Sequence, residues 1–103
     1  MAWFILKQPN KMFARWSDVL DNFERVQMNR QEAISCCVDH GDTVTEAREK
    51  VDRVHRRNYD PNVWNECISK IWKVHGRSEA RRAEAEGKKE PRVARKHDEY
   101  TVW

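Results

Sequence analysis

Three cysteines and two histidines have side chains that could bind a metal ion. Cys36, Cys37 and His40 lie close together in the sequence, whereas Cys67 and His75 follow much later. Zinc sites bring thiolate and imidazole ligands together from short, regular spacings. Cys67 and His75 would lie two turns apart on one helix and would not converge on a single ion. The spacing therefore favours buried thiols that act as small apolar side chains, and we expect no metal and no cofactor.

Nucleophilic catalysis would require a Cys or Ser beside a base and an orienting carboxylate. Cys67, His75 and Asp60 supply these residue types, but no spacing selects them over other residues. The sequence has no glycine-rich phosphate loop, nucleophile elbow or metalloprotease motif, and its three glycines leave little to shape a site. We therefore expect a protein that is not an enzyme and that has no small-molecule substrate.

The cysteine count also bears on the cellular compartment. The three cysteines are an odd number, and vicinal Cys36 and Cys37 cannot bridge each other without strain. Residues 2–6 lack a basic leader and are too short for the core of a signal peptide. No stretch approaches the roughly 20 apolar residues that span a membrane. We expect a cytoplasmic protein without a membrane partner.

Basic residues are concentrated on two predicted helices and could contact nucleic-acid phosphates. The candidates are Arg48, Lys50, Arg53, Arg56 and Arg57 on the first helix, and Lys70, Lys73, Arg77, Arg81 and Arg82 on and after the second. Acidic residues such as Glu46, Glu49 and Asp52 are interleaved with the first group and indicate an ordinary solvated face. A net charge of +3 is mild for a dedicated nucleic-acid-binding protein. Nucleic-acid binding is therefore the alternative hypothesis, with Arg53, Arg56 and Arg57 as the best candidates for phosphate contacts.

Five tryptophans in 103 residues exceed ordinary usage, and Trp is enriched at binding hot spots as well as in cores. Trp64 and Trp72 share one face of a predicted helix, so we expect both in the core. Trp3 and Trp16 lie on a predicted hairpin, where one of them could face a partner. The surplus of Trp therefore favours protein binding as the leading hypothesis.

The last four residues of the given sequence include two further aromatic side chains and a valine. Tyr100, Val102 and Trp103 follow a polar segment, and such an apolar end would favour aggregation unless it docked on a partner or on the chain itself. The candidate partner-binding residues are thus Trp3, Trp16, Tyr100, Val102 and Trp103.

The elements that must position these residues begin with a predicted β-hairpin. Residues 3–7 and 12–16 are aromatic and aliphatic, and Pro9 and Asn10 between them are turn residues. Residues 17–28 fit both helical spacing and strand alternation, and we favour a short helix with Ser17 or Asp18 near its N-cap. A hairpin alone is marginal in water, so we expect helices to cover one of its faces.

Caps predict three helices, over residues 30–39, 44–57 and 61–75, with Gly41 ending the first and Gly76 the third. The cap residues are Asn29 and Glu32 for the first helix, Thr43 and Glu46 for the second, and Asp60 and Pro61 for the third. The third helix has the broadest apolar face and should contribute most to the core.

A change in composition divides the chain after Gly76. Residues 1–76 hold all the Ile, Leu, Phe and Cys and form a predicted compact domain, whereas residues 77–103 form a charged extension. Residues 78–86 are rich in Ala, Glu and Arg, and they could be helical yet pack on nothing. The predicted fold class is α+β: an N-terminal β-hairpin packed against three to four short helices, followed by a charged, partly helical C-terminal extension.

The first 35 residues or so carry a recurring pattern of motifs. It comprises a strand, the Pro9-Asn10 turn, a second strand ending in Trp16-Ser17, and a helix start at Met28-Asn29 with Glu32-Ala33. This pattern resembles small accessory proteins of tailed bacteriophages, although those have Thr where this chain has Asn29 and Gly where it has Lys11.

The resemblance implies a phage-encoded protein that binds and inhibits a larger bacterial defence protein or ribonucleoprotein, such as a CRISPR–Cas effector. Stoichiometric occlusion of a site on that partner is our leading hypothesis. A third possibility is a structural subunit of a phage particle or a homo-oligomer.

Overall fold

A computed structural model describes residues 3–57 and 59–90 of the chain. Within these residues, three strands precede four helices. The elements are β1 (Trp3–Lys7), β2 (Phe13–Ser17), β3 (Asn22–Met28), α1 (Arg30–Asp39), α2 (Val44–Arg57), α3 (Pro61–His75) and α4 (Arg77–Lys88). The predicted α+β fold class is confirmed.

The sheet is an antiparallel meander in the order β1-β2-β3. The predicted hairpin is present, with Leu6 opposite Ala14 and Lys7 opposite Phe13. The turn is closed by a hydrogen bond of 2.8 Å, which the backbone N–H of Gln8 donates to the backbone carbonyl of Met12. Lys11 completes the turn in the left-handed region at φ 73°.

The short helix predicted for residues 17–28 is wrong. Ser17 ends β2 instead of capping a helix, and its hydroxyl accepts from the Leu20 amide in the β2–β3 turn. The segment then continues as β3, in which Phe23 lies edge-on to the Trp16 ring at 5.2 Å and stacks on the Trp64 ring at 5.1 Å. Residues 22–28 form a strand instead of a helix because pairing with β2 satisfies the backbone hydrogen-bonding groups. In this strand, the Phe23 ring is also covered by the rings of Trp16 and Trp64.

The three helices predicted from their caps are confirmed with the predicted bounds. Asn29 and Glu32 form a reciprocal capping box at the start of α1. The Thr43 hydroxyl and the Glu46 carboxylate do the same for α2, over 3.1 and 2.9 Å. Local chemistry therefore decides where these helices begin.

The sheet lies between two pairs of helices, because strand side chains alternate between its faces. Ile5 and Phe13 pack on one face with residues of α1 and α2. Leu6 and Ala14 pack on the other face with residues of α3 and α4. All five residues of β2 are consequently buried. We expected helices on one face of a hairpin, whereas the structure covers both faces of the sheet.

The expectation that the helix after Gly76 packs on nothing is also wrong. Ala80 is 1% exposed within the cluster that contains Trp64, and Gly87 is buried. A Cβ at Gly87 would overlap the Cη2 and Cζ2 atoms of Trp64 and would lie 3.3 Å from Pro9 Cδ. Small side chains thus let α4 approach the core closely. The C-terminal residues Tyr100, Val102 and Trp103 lie outside the described residues.

Candidate binding surfaces

The antiparallel arrangement of the elements gives the molecule two ends. At one end the Asn10 amide in the β1–β2 turn donates to the Gly87 carbonyl of α4 over 3.0 Å. At the other end Nε2 of His75 in α3 lies 2.8 Å from the Leu20 carbonyl oxygen in the β2–β3 turn. Different side chains are exposed at each end, so each is a separate candidate surface.

Four large apolar side chains are exposed at the end that holds the β2–β3 turn. We call this group the apolar end: Val19 is 78% exposed, Leu20 51%, Trp72 51% and Val74 52%. A carbonyl oxygen only accepts, so His75 donates from Nε2 and holds the turn against α3. Trp72 precedes His75 by one helical turn and therefore borders the same imidazole.

The prediction that Trp72 belongs to the core is wrong. The buried side of α3 consists of Trp64, Cys67 and Ile71, which recur at intervals of three and four residues. Trp72 follows Ile71 directly and is turned about 100° away from it around the helix axis. The apolar face inferred from the sequence was therefore too broad, and its margin lies at the surface.

Trp16 does not contact solvent as the partner-binding hypothesis required. It is 3% exposed, and its indole nitrogen donates to the Asp18 carboxylate over 2.9 Å. Burial against α3 and α4 makes Trp16 a core residue, so its assignment as a partner-binding residue is withdrawn.

Trp3 is half-buried, and its ring lies against two cations of the fold. The Arg15 guanidinium is 4.6 Å and the Lys50 ammonium 4.3 Å from the ring centroid. Lys50 also pairs with the Asp42 carboxylate at 2.7 Å, and buried Arg15 pairs with Glu24. Lys50, a candidate phosphate contact, is therefore engaged inside the fold, and Trp3 contributes to stability through cation–π contacts.

Two of the acidic residues interleaved with the arginines of α2 are engaged in bonds elsewhere in the fold. Glu46 accepts from the Thr43 amide at the start of the helix, and Asp52 is held at 2.8 Å by the Arg30 guanidinium. Two of the three interleaved acids are thus engaged within the fold. Among the described residues, no ion pair involves the following three exposed residues: Arg53, Arg56 and Arg57.

The fold brings further basic groups to this end. Burial lowers the pKa of the Lys7 ammonium, and nearby Lys11 lowers it further. Burial also lowers the pKa of His55, with Lys7 as the next cause. The Lys7 ammonium and the His55 ring both approach the Phe13 ring, with centroid distances of 5.3 and 6.4 Å. We call the following group the basic end: Lys7, Lys11, Arg30, Arg53, His55, Arg56 and Arg57.

Sequence reasoning missed the contribution of β1 and its turn to the basic end. Lys7 and Lys11 are distant from His55 in sequence, and only packing of α2 on the sheet brings them together. In the sequence, Lys11 is notable only because it stands where the phage accessory proteins have Gly, and that difference does not indicate which residues surround it.

The remaining basic candidates do not join this surface. All are exposed: Arg48, Lys70, Lys73, Arg77, Arg81 and Arg82. Arg48 borders an open groove of about 200 Å³ between α1 and α2, whose apolar lining includes Ile34, Val38 and Val44. The others lie on α3 and α4 on the opposite side of the sheet. The ten predicted phosphate contacts are thus split between separate faces.

The three thiols are buried. Burial raises the pKa of Cys36, that of Cys37 to about 11 and that of Cys67 to about 12. These thiols are protonated near neutral pH and are poor nucleophiles and poor metal ligands. Within residues 3–57 and 59–90, no group of three or more His, Cys, Asp and Glu side chains is placed to hold a metal ion.

These features define a small α+β protein whose sheet lies between two helical layers and which exposes one apolar and one basic end. In the described part of the chain, no helix has the length and apolar character needed to cross a membrane. Comparison with protein-family models, curated proteins and solved structures found no match to this chain.

Proposed function

We propose that this protein acts by stoichiometric binding to a larger bacterial protein or ribonucleoprotein, on which it occludes a site. The observation that carries this proposal is the apolar end. Its four large apolar side chains are each at least half exposed, and Trp72 and Leu20 border the same histidine. The set of candidate anchor residues therefore changes, because exposed Trp72 and Leu20 take the place of buried Trp16.

The physical case rests on the grouping of these side chains. Single exposed apolar residues are ordinary on protein surfaces, but contiguous groups mark interfaces. Trp is the residue most enriched among binding hot spots, where it fills a pocket that excludes water. Val19 and Leu20 lie in the turn that His75 holds against the end of α3, so the apolar end has the composition of an interface centre.

The resemblance to phage accessory proteins makes the proposal more specific. Such a protein would act on a host defence complex, for example a CRISPR–Cas effector, and would inhibit it in a one-to-one complex. Addition of the purified protein to a purified effector nuclease tests this directly. We expect target cleavage to fall to zero at a molar ratio near one; undiminished cleavage at a large excess would argue against that effector as the partner.

Affinity capture with matched variants tests the binding surface. The full-length protein, a Leu20→Ser/Trp72→Ala variant and a Val44→Ser control are each used to capture proteins from bacterial lysate, and the complexes are measured by light scattering. Val44 is a suitable control because it is 50% exposed yet lies in the groove between α1 and α2. We expect a defined complex that the double variant loses and the control retains. Equal capture by all three proteins would refute a role for the apolar end.

Nucleic-acid binding remains the second candidate because the exposed arginines of α2 lack ion pairs among the described residues. Contacts with phosphates release counterions, so affinity should fall steeply as salt rises. Substitution of Arg53 and Arg57 by Glu should weaken nucleic-acid binding and reduce the dependence of affinity on salt concentration. Arg81→Glu changes charge on α4 by the same amount per site and serves as the control.

A further inference from the structure

We infer that the β1–β2 turn and the end of α2 form one nucleic-acid-binding surface, in which Lys11 contacts a backbone phosphate. This inference rests on the second candidate function and adds residues from β1 and its turn to it. The surface consists of the exposed members of the basic end, supported from beneath by the buried ammonium of Lys7.

The turn is fixed against the body of the protein, so its position relative to α2 is defined. The Asn10 side chain donates to the Lys89 carbonyl and to the Gln27 side chain, and its own carbonyl oxygen accepts from the Met12 amide. On the other side, His55 of α2 meets Phe13, the first residue of β2. Lys11 is therefore held at the rim of the same surface to which α2 contributes its arginines.

The backbone of Lys11 provides an independent observation. Its φ of 73° lies in the left-handed region, which is costly for a residue with a Cβ and which Gly or Asn adopts more readily. Asp21 also has a positive φ, at 50°, but its residue type tolerates this region. Gln27, at 57°, is held there by side-chain bonds to Gln8 and to the Glu86 carbonyl. At Lys11 the strained conformation presents an exposed cation at the tip of a turn.

The distribution of apolar side chains favours phosphates over a protein surface as the ligand. Within residues 3–57 and 59–90, the large apolar residues that are exposed lie at the apolar end, apart from Val44 at the start of α2. The basic end therefore presents charge without an apolar centre, whereas protein interfaces are built around one. Burial is the main cause that lowers the pKa of Lys7 and of His55, and the neighbouring cations Lys11 and Lys7 add to it, which indicates a positive potential that a polyanion would relieve.

Fluorescence anisotropy of the full chain tests the inference with two labelled probes, a DNA duplex of about two helical turns and a single-stranded RNA of the same length. Binding is measured over a series of KCl concentrations for the wild type, Lys11→Asn and Lys73→Asn. Lys73 is an exposed lysine of α3 and loses the same charge outside the basic end.

We expect Lys11→Asn to lower affinity several-fold and to reduce the slope of log affinity against log salt by about one. The same substitution should raise the melting temperature, because Asn tolerates the left-handed conformation. Lys73→Asn should leave the slope unchanged. The probe that the wild type binds more tightly identifies the nucleic acid as duplex or single strand.

The outcomes separate this inference from the function on which it rests. If Arg53→Glu and Arg57→Glu weaken binding but Lys11→Asn matches Lys73→Asn, the protein binds nucleic acid and the role of Lys11 is refuted. If the wild type binds neither probe at low salt, the second candidate function fails together with the inference.

Discussion

The two ends of the molecule are built in opposite ways. At the basic end, Gln8 is fully buried and bonds to Asn10 and Gln27, and Gly87 lies directly against Trp64. At the apolar end, the β2–β3 turn is held by hydrogen bonds from the Leu20 amide to Ser17, from Trp16 to Asp18 and from His75 to the Leu20 carbonyl, and it exposes its apolar side chains. A turn that is bonded into the core presents its charges in fixed positions, whereas the turn at the apolar end leaves large apolar side chains exposed to solvent.

The largest effect is expected from Gln8→Leu at the basic end. Gln8 accepts from the Gln27 amide over 2.8 Å and donates to the side chains of Asn10 and Gln27. Leu has a similar volume but cannot replace these bonds, so the Gln27 amide loses its partner at a cost of about 2–3 kcal/mol. Urea unfolding measures the change. A loss below about 0.5 kcal/mol would mean that this network does not stabilise the end.

A somewhat smaller loss is expected from Gly87→Ala. The added methyl group would overlap the Trp64 ring, which is 1% exposed and has no room to move. Overpacking costs about 1–3 kcal/mol, partly offset by the better helix propensity of Ala. The control is a double-mutant cycle with Trp64→Phe, in which the smaller ring should accommodate the methyl group. Additive effects in that cycle would show that the two residues are not in contact.

The pH dependence of stability should be sensitive to His55. Its pKa is lowered by burial and by Lys7 and Arg30, with Asp52 acting in the opposite direction. The unfolded chain then takes up a proton before the native protein does, so stability falls as pH decreases through about 6.5. Urea unfolding at about pH 7.5 and 5.5 should show a larger loss for the wild type than for His55→Gln. Identical losses would contradict this prediction.

The smallest effect on stability is expected from Leu20→Ser at the apolar end. Leu20 is half exposed, and the bond to His75 uses its backbone carbonyl, which the substitution keeps. Substitutions at such surface positions usually change stability by less than about 0.5 kcal/mol. Thermal unfolding measures this change. A loss of 2 kcal/mol or more, roughly the loss expected at the basic end, would abolish the contrast between the two ends.

Local chemistry made much of the fold predictable. The capping boxes at Asn29 and Thr43 and the Asp60-Pro61 start give three helices with their observed bounds, because caps act within a few residues. The secondary structure of residues 17–28 could not be predicted in this way, because their apolar residues fit both the helical and the strand periodicity. Only pairing with β2 selects the strand. The prediction that the fold class is α+β needed no more than these local signals.

The binding surfaces were less predictable, because exposure depends on what packs above each residue. Trp64 and Trp72 share one predicted helix face, yet Trp64 is 1% and Trp72 51% exposed. The arginines of α2 were found from composition, but the ion pair of the interleaved Asp52 could not be inferred from spacing along α2. Asp52 is bound by Arg30, which lies on another helix.

The sequence alone determined the α+β class, the helix ends and the hairpin with its turn, since propensity, caps and turn residues act over short distances. Tertiary structure alone decided that both faces of the sheet are covered, that α4 belongs to the core and that Lys7 lies near His55 of α2. These outcomes depend on contacts between residues that are far apart in the chain. Alternate residues of a strand pack on opposite helical layers, and the small residues of α4 pack on the core, only in the folded protein.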